Sequence, residues 1–376
     1  MDVDARIPLL GGLSPAQFMR RHWGRKPLLV RRAWPGVQPP LSRAQLFALA
    51  ASDDVESRFV RRQGKAWEVR HGPLPRRSLP PVATSGWTVL VQGLDLHLDA
   101  ARALVEPFRF VPEARFDDLM ISWASEGGGV GPHIDAYDVF LLQLAGRRRW
   151  RVGRVADPSL IEGLPLRILR RFEPENEWVL EPGDLLYLPP LWGHDGEAFG
   201  GECLGCSVGF RTPEAQGLAA ELLQRLADLD DERVAQHYRD RGQPAVANPG
   251  EIPAALVDFA QEAVAKRLRE PDALARALGE VLSEPKPRVW FEDGAACSLD
   301  HGVRLDRRTR MLYDARHVYI NGESFRVGGR DARLLRRLVD ARALSAADCG
   351  LLSVQAREVV GHWLADGWLR AAEEEE

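Results

Sequence analysis

The chain has 376 residues, 45% of them hydrophobic and 28% charged, with a net charge of -4. That length exceeds what one core usually organises, so two or three domains are expected in an ordinary soluble globular protein. The charge argues against a protein that coats nucleic acid over its whole surface. Met1 to Arg6 holds no basic segment leading into an apolar stretch, and no uncharged apolar run is long enough to cross a bilayer. Neither a secretory signal nor a membrane span is therefore expected, and the predicted setting is cytoplasmic.

In chain order, Ser14-Pro15-Ala16-Gln17-Phe18 predicts a helix start, with Ser14 as N-cap and Pro15 at the first helical position. Lys26-Pro27-Leu28-Leu29-Val30 reads as a strand. From Asp118 onward come short apolar runs broken by glycine and proline: Leu119–Trp123, Val139–Leu144, Trp150–Val152, Trp178–Leu180, Leu185–Leu188 and Leu204–Phe210. Short strands at close spacing with turn signals indicate a β-sandwich or barrel, ending near Thr212. About Pro213 to Glu284 is helical: Leu218, Leu222, Leu226 and Leu229 recur at helical spacing, Asn248-Pro249-Gly250 interrupts, and a second helical stretch runs from Pro253 to Leu282. Helices appended to a β-domain suit a two-fold homodimer.

The last region starts near Pro285. Asn321-Gly322 between His317–Ile320 and Ser324–Val327 is a hairpin signal, and helices are predicted over Asp331–Asp340, near Ser345–Leu351 and over Val354–Leu369. Small helices with a hairpin suggest a winged-helix-like module. No reading helix is evident and the Glu373–Glu376 tail repels phosphate, so direct nucleic-acid binding is not expected. Cys203, Cys206, Cys297 and Cys349 form no disulfide framework. The Cys203–Cys206 pair lies in a predicted strand, so its spacing reads as structural.

The chemistry concentrates in Gly131-Pro132-His133-Ile134-Asp135 and Trp192-Gly193-His194. Residues two apart on a strand share a face, so His133 and Asp135 can grip one ion while His194 arrives from a neighbouring strand. Two imidazoles and a carboxylate on one face of a metal, with open positions opposite, suit Fe(II); zinc, manganese and nickel are the imitators. In Arg147-Arg148-Arg149-Trp150-Arg151-Val152, parity separates Arg148, Trp150 and Val152 from the basic stripe Arg147, Arg149 and Arg151. A buried guanidinium needs an anion: either a structural carboxylate or the far carboxylate of a 2-oxoglutarate co-substrate. Tyr137 continues the alternation and either meets substrate or packs. Ser122 and Ser207, on predicted strands, either hydrogen-bond the co-substrate or satisfy backbone groups. Glu126 is a further candidate for a cationic substrate.

These motifs resemble the bacterial JmjC-type ribosomal oxygenases, cupin-like 2-oxoglutarate-dependent hydroxylases. The resemblance runs over essentially the whole chain, through Leu10–Pro15, Lys26–Val30, Gly127–Phe140, Gly146–Trp150, Glu181–His194 and Ser207–Arg211. It implies an α+β protein: a double-stranded β-helix (jelly-roll, cupin, JmjC) over 1–212, a helical dimerisation region over 213–284 and a winged-helix-like domain over 285–376. It implies that His133, Asp135 and His194 bind Fe(II), that Arg148 holds 2-oxoglutarate, and that O2 is consumed in hydroxylating an arginine of large-subunit ribosomal protein sixteen. Histidine hydroxylation, as in related eukaryotic enzymes, is the alternative that the metal motif does not separate. A cupin isomerase or dioxygenase acting on a small molecule would leave the clamp arginine and the extra domains unexplained; a third alternative is a non-catalytic regulator, with the metal-bound barrel as sensor and the C-terminal module as DNA reader.

Overall fold

The computed structural model describes residues 2–228, 236–294 and 299–372, in two compact units, Met1–Thr212 and Pro213–Glu376. Cys297 and the Glu373–Glu376 tail lie outside the described residues.

The first unit begins with helix α1 (Pro15–Arg21), where Ser14 and Gln17 form a reciprocal capping box and Pro15 occupies the first turn. Strand β1 (Leu28–Val30) and helix α2 (Arg43–Ala50) follow, then β2 (Ser57–Gln63), β3 (Ala66–His71), β4 (Trp87–Val91) and helix α3 (Asp99–Ala103). The remaining strands are β5 (Phe116–Ala124), β6 (His133–Ile134), β7 (Asp138–Ala145), β8 (Arg148–Arg154), β9 (Asn176–Leu180), β10 (Leu185–Leu188), β11 (Trp192–Ala198) and β12 (Cys203–Phe210). They form an eight-stranded sheet, β1-β10-β7-β12-β5-β4-β2-β3, and a four-stranded sheet, β6-β11-β8-β9, with antiparallel neighbours in both. This is the double-stranded β-helix expected from the sequence.

Strand parity explains the layering. On β7, Phe140, Leu142 and Leu144 join the outer core with Phe18, Trp87, Trp123 and Tyr187. The alternate residues Val139 and Leu141 join Trp150, Val152, Leu180, Leu186 and Leu188 between the sheets. Burial on both faces is why β7 and β10 read as continuous apolar runs. Each fully buried side chain of this size contributes roughly 1.5–3 kcal/mol relative to exposure. On β2, β4 and β5 the same outer face carries Phe59, Trp87, Val89, Val91, Leu119, Ile121 and Trp123. Their inner faces are more polar and line a cavity. Cys203 and Cys206 are buried free thiols in separate clusters, as three-residue spacing on a strand requires.

The second unit contains α4 (Ala215–Asp228), α5 (Ala254–Leu268) and α6 (Ala273–Ser283). The stretch expected as one helix over Pro253–Leu282 is thus two, because Pro271 cannot continue an α-helix and Asp272 adopts φ 64°. Strands β13 (Val303–Leu305), β14 (Met311–Tyr313), β15 (His317–Ile320) and β16 (Glu323–Arg326) follow. Asn321 and Gly322 both take positive φ in the β15–β16 hairpin, as its two-residue turn requires. Helix α6 packs here: Tyr319 donates its hydroxyl to the Ala275 carbonyl at 3.2 Å, and Ser324 donates to Glu280 at 2.6 Å. Helix α7 (Gly329–Ala341), β17 (Ala343–Leu344), α8 (Ala346–Gly350), α9 (Val354–Ala365) and β18 (Leu369–Ala371) complete the winged-helix module. Its last helix stops at Ala365 rather than Leu369; Gly367, at φ 70°, turns the chain so that Leu369 pairs with Leu305.

Candidate metal centre

The two imidazoles of the predicted triad meet across a strand pair. His133 on β6 and His194 on β11 are direct register partners. β6 is only two residues long, shorter than the alternation from His133 to Tyr137 assumed, and Asp135 leaves its end just before the chain bends. The carboxylate still reaches the imidazoles: Asp135 Oδ2 lies 3.9 Å from His133 Nε2 and 3.5 Å from His194 Nε2. One ligand atom from each of the three residues lies within 4.8 Å of the others. Metal–ligand bonds of ~2.1 Å place adjacent ligand atoms ~3 Å apart, so each carboxylate–imidazole side of the triangle needs to close by less than about 1 Å.

The second ring nitrogens are already committed. His133 Nδ1 lies 2.8 Å from the Gly131 carbonyl, and His194 Nδ1 lies 2.9 Å from the Trp192 carbonyl. A carbonyl only accepts, so each Nδ1 carries the proton and each Nε2 presents its lone pair. Burial, reinforced by the charge of His194, pushes His133 down to about 4 despite the opposing carboxylate. Burial pushes Asp135 up, but His194, with help from His133 and Tyr137, holds it below its ordinary value. A neutral His133 ring beside an ionised Asp135 carboxylate is the arrangement metal binding requires.

The triad opens into a cavity of about 380 Å³. Arg148, on β8, lines it and is only 7% exposed. Its Nη1 donates to Ser122 Oγ at 3.1 Å, while Nε and Nη2 are buried with no hydrogen-bond partner. The other face of β8 differs, as parity requires. Arg149 and Arg151 pair with Glu177, Arg151 also with Asp195 and Glu197, and Arg147 lies over Phe199. Ser207 lies beside Arg148, and Ser122 accepts from that guanidinium rather than serving a backbone group.

Tyr137 lines the cavity, and its hydroxyl helps keep Asp135 ionised. Burial, with Asp135 and Asp118 nearby, raises its hydroxyl and keeps it protonated. Glu126 is not part of this surface: it is exposed, does not line the cavity and accepts from the Gly201 amide. The turn before the metal strand directs it outward. Gly129 bridges to Glu197, and a Cβ there would lie 2.3 Å from the Gly196 carbonyl. Only glycine permits that approach.

Residues that the sequence reading passed over include Met120, which faces the cavity by the same parity as Ser122, and Asp118 next along that face. Arg58, Thr88 and Gln92 line it from the region between Val30 and Asp118, where no strands were read.

A double-stranded β-helix holding His-x-Asp and a distant His, above a buried arginine with free donors, defines the class of JmjC-type 2-oxoglutarate oxygenases. Residues 103–218 match the JmjC domain, and residues 263–370 match the ROXA-like winged helix. The chain is 33% identical over 382 residues to the ribosomal protein uL16 3-hydroxylase of Escherichia coli, covering 94% of this chain and 98% of that one. The crystal structure of E. coli ycfD superimposes with a TM-score of 0.83 at 30% identity, covering 95% of this chain and 98% of the other. A further structure of that E. coli ribosomal oxygenase, in complex with cobalt and 2-oxoglutarate, gives a TM-score of 0.77 over the same 95% of this chain. The chain belongs to the JmjC-type ribosomal oxygenases, enzymes that use Fe(II), 2-oxoglutarate and O2.

Proposed function

We propose that this enzyme hydroxylates an arginine side chain of ribosomal protein uL16. His133, Asp135 and His194 hold Fe(II), and Arg148, steadied by Ser122 and flanked by Ser207, takes the far carboxylate of 2-oxoglutarate. The observation that carries the co-substrate assignment is the Arg148 guanidinium, buried with Nε and Nη2 unpartnered. A structural ion pair would have satisfied it; an entering carboxylate does so instead. The bound metal and co-substrate supply the oxidising chemistry. The chain's own residues orient the diacid and hold the Nε2 atoms of the two imidazoles toward the metal position.

Arginine rather than histidine is favoured by the rim. Asp118 and Asp117 act on Tyr137, and the Asp118 carboxylate and the Tyr137 ring both lie against Gly209. Tyr137 on the cavity, with the Asp118 carboxylate close by, suits a guanidinium. A homodimer through the helical region is part of the same reading, supported by Ile252, Leu256, Val257, Val264 and Leu268, all exposed on or beside α5. The setting would be the cytoplasm, where ribosomal proteins are made. Incubating the Fe(II)-loaded protein with 2-oxoglutarate and uL16, then measuring succinate and peptide mass, tests the proposal. Oxygen added to one arginine is expected; its absence with uL16, or its appearance on histidine, overturns the substrate assignment.

A further inference from the structure

Trp150 stands between the two ends of the site. Its ring centroid lies 5.8 Å from the guanidinium carbon of Arg148 and 5.9 Å from the ring centroid of His194. The register between β8 and β11 places it there. Arg148 pairs with Ala198, Trp150 with Gly196, and Val152 with His194. The clamp, the indole and a metal ligand therefore occupy three successive rows on one face of a single strand pair. Alternate residues on a strand are ~6.7 Å apart, so roughly 13 Å of backbone separates the Arg148 row from the His194 row. The guanidinium carbon itself is no further from the imidazole than the two measured separations together. A chain with one end on the guanidinium and the other on the metal has to be short.

The indole is built into this position. A Cβ on Gly196 would lie 2.6 Å from two carbons of the Trp150 benzo ring, so the register partner has to be glycine for the ring to lie where it does. Trp150 also packs with Val139, Leu141, Val152 and Leu180 between the sheets and is only 8% exposed. Yet it lines the cavity, as do Gly196, Val139 and Leu141. Trp87 and Trp123, by contrast, belong to the outer core and line no part of this cavity. The stretch between clamp and metal thus has an apolar wall with charge-binding groups at its two ends. That is the complement of a diacid with methylenes in the middle.

We propose that Trp150 is the specificity-determining residue for the co-substrate: the methylene chain of 2-oxoglutarate lies along its indole, and the ring sets the chain length that the site accepts. The proposal rests on the co-substrate reading of Arg148. Arg148 and His194 belong to one hydrogen-bonded strand pair, so their spacing does not stretch to suit a longer acid. A keto diacid one carbon longer has to bow between its fixed ends, and the bow meets the ring. The indole cannot retreat, because the inter-sheet core packs against it.

The test is calorimetric titration of the zinc-loaded protein with 2-oxoglutarate and with 2-oxoadipate, which differs by one added methylene. Wild type should prefer 2-oxoglutarate by about 10–200-fold, the range for one methylene in a fitted pocket. Trp150→Leu opens the space beside the chain. It should cut that preference by about tenfold or more, weakening 2-oxoglutarate and strengthening 2-oxoadipate. Trp150→Phe should give an intermediate loss of preference, and it carries the comparison if the leucine variant does not fold. A preference unchanged in the variants, or an equal loss of both ligands, makes the indole a packing residue only and overturns the proposal while leaving the Arg148 reading intact. Wild type that binds both acids equally well overturns it too. Wild type that binds neither acid removes the Arg148 reading and this one with it.

Discussion

His133 and His194 are opposite one another in the β6–β11 register, with ring centroids 4.2 Å apart, so both imidazoles hang from a single hydrogen-bonded strand pair. Asp135 is different: it reaches the same point from the loop beyond the strand, and the Leu191 amide donates to its carbonyl at 2.8 Å. The three ligands therefore combine a rigid pair with one carboxylate anchored by its backbone.

Asp135 supplies the site's only formal negative charge among the three ligands. Asp135→Asn keeps the shape and removes the charge. Because changes outside the ligand set already cost 10–100-fold, this substitution should weaken Mn(II) binding by more than about 100-fold. Electron paramagnetic resonance titration, with circular dichroism to confirm folding, measures it; unchanged affinity would remove Asp135 from the ligand set.

The parity of β8 separates Arg148 from its neighbours. Arg148→Ala should raise the Kd for 2-oxoglutarate about 10–100-fold, the worth of one or more charged hydrogen bonds. Arg147→Ala, on the far face over Phe199, should leave it unchanged. Equal losses in both variants would place the clamp elsewhere.

The metal-free protein should be acid-sensitive. His133 is pushed down to about 4, below the ordinary ~6.5 that it regains on unfolding. Between those values the unfolded chain binds a proton that the folded chain refuses, so stability falls as pH drops from about 6.5 to about 4 and is flat above. Urea unfolding of wild type and His133→Gln at several pH values reads this out. The slope should be shallower in the variant; identical slopes would assign the acid sensitivity to other groups.

Gly196 touches the site through packing. A Cβ at this position would lie 2.6 Å from the Trp150 indole, whose ring centroid is 5.9 Å from that of His194. Gly196→Ala should cost about 1–3 kcal/mol of stability by overpacking. It should also shift tryptophan fluorescence and weaken metal binding. A variant with wild-type Tm and spectrum would show that the indole has room to move.

The centre was legible because its residues sit where strand rules are strictest. Parity separates Arg148 from Arg147 and Arg149, and the His133–His194 strand pairing fixes both imidazoles, while Asp135 reaches them from just past the strand end that the alternation assumed. The runs at β7, β10 and β12 stood out because both of their faces are buried. Strands β2 to β4 were invisible for the opposite reason. Arg58 and Gln92 alternate with Phe59 and Val91, and a polar face turned to a cavity has the same periodicity as one turned to water. Glu126 misled by proximity along the chain, since the glycines that follow it carry the backbone inward and leave its side chain outside. The break at Pro271 carried a signal in the proline itself, which the helical periodicity around it masked.

The carbonyls of Gly131 and Trp192 each tie down an imidazole from the residue two places before it. Both rings are thus turned and protonated correctly before any ion arrives, and loading requires little rearrangement. Such a socket has little means of refusing a visitor of similar size, since late first-row ions bind nitrogen and oxygen donors more tightly than iron does. Which ion fills such a socket then depends on the exchangeable metal pool as well as on the donors it offers.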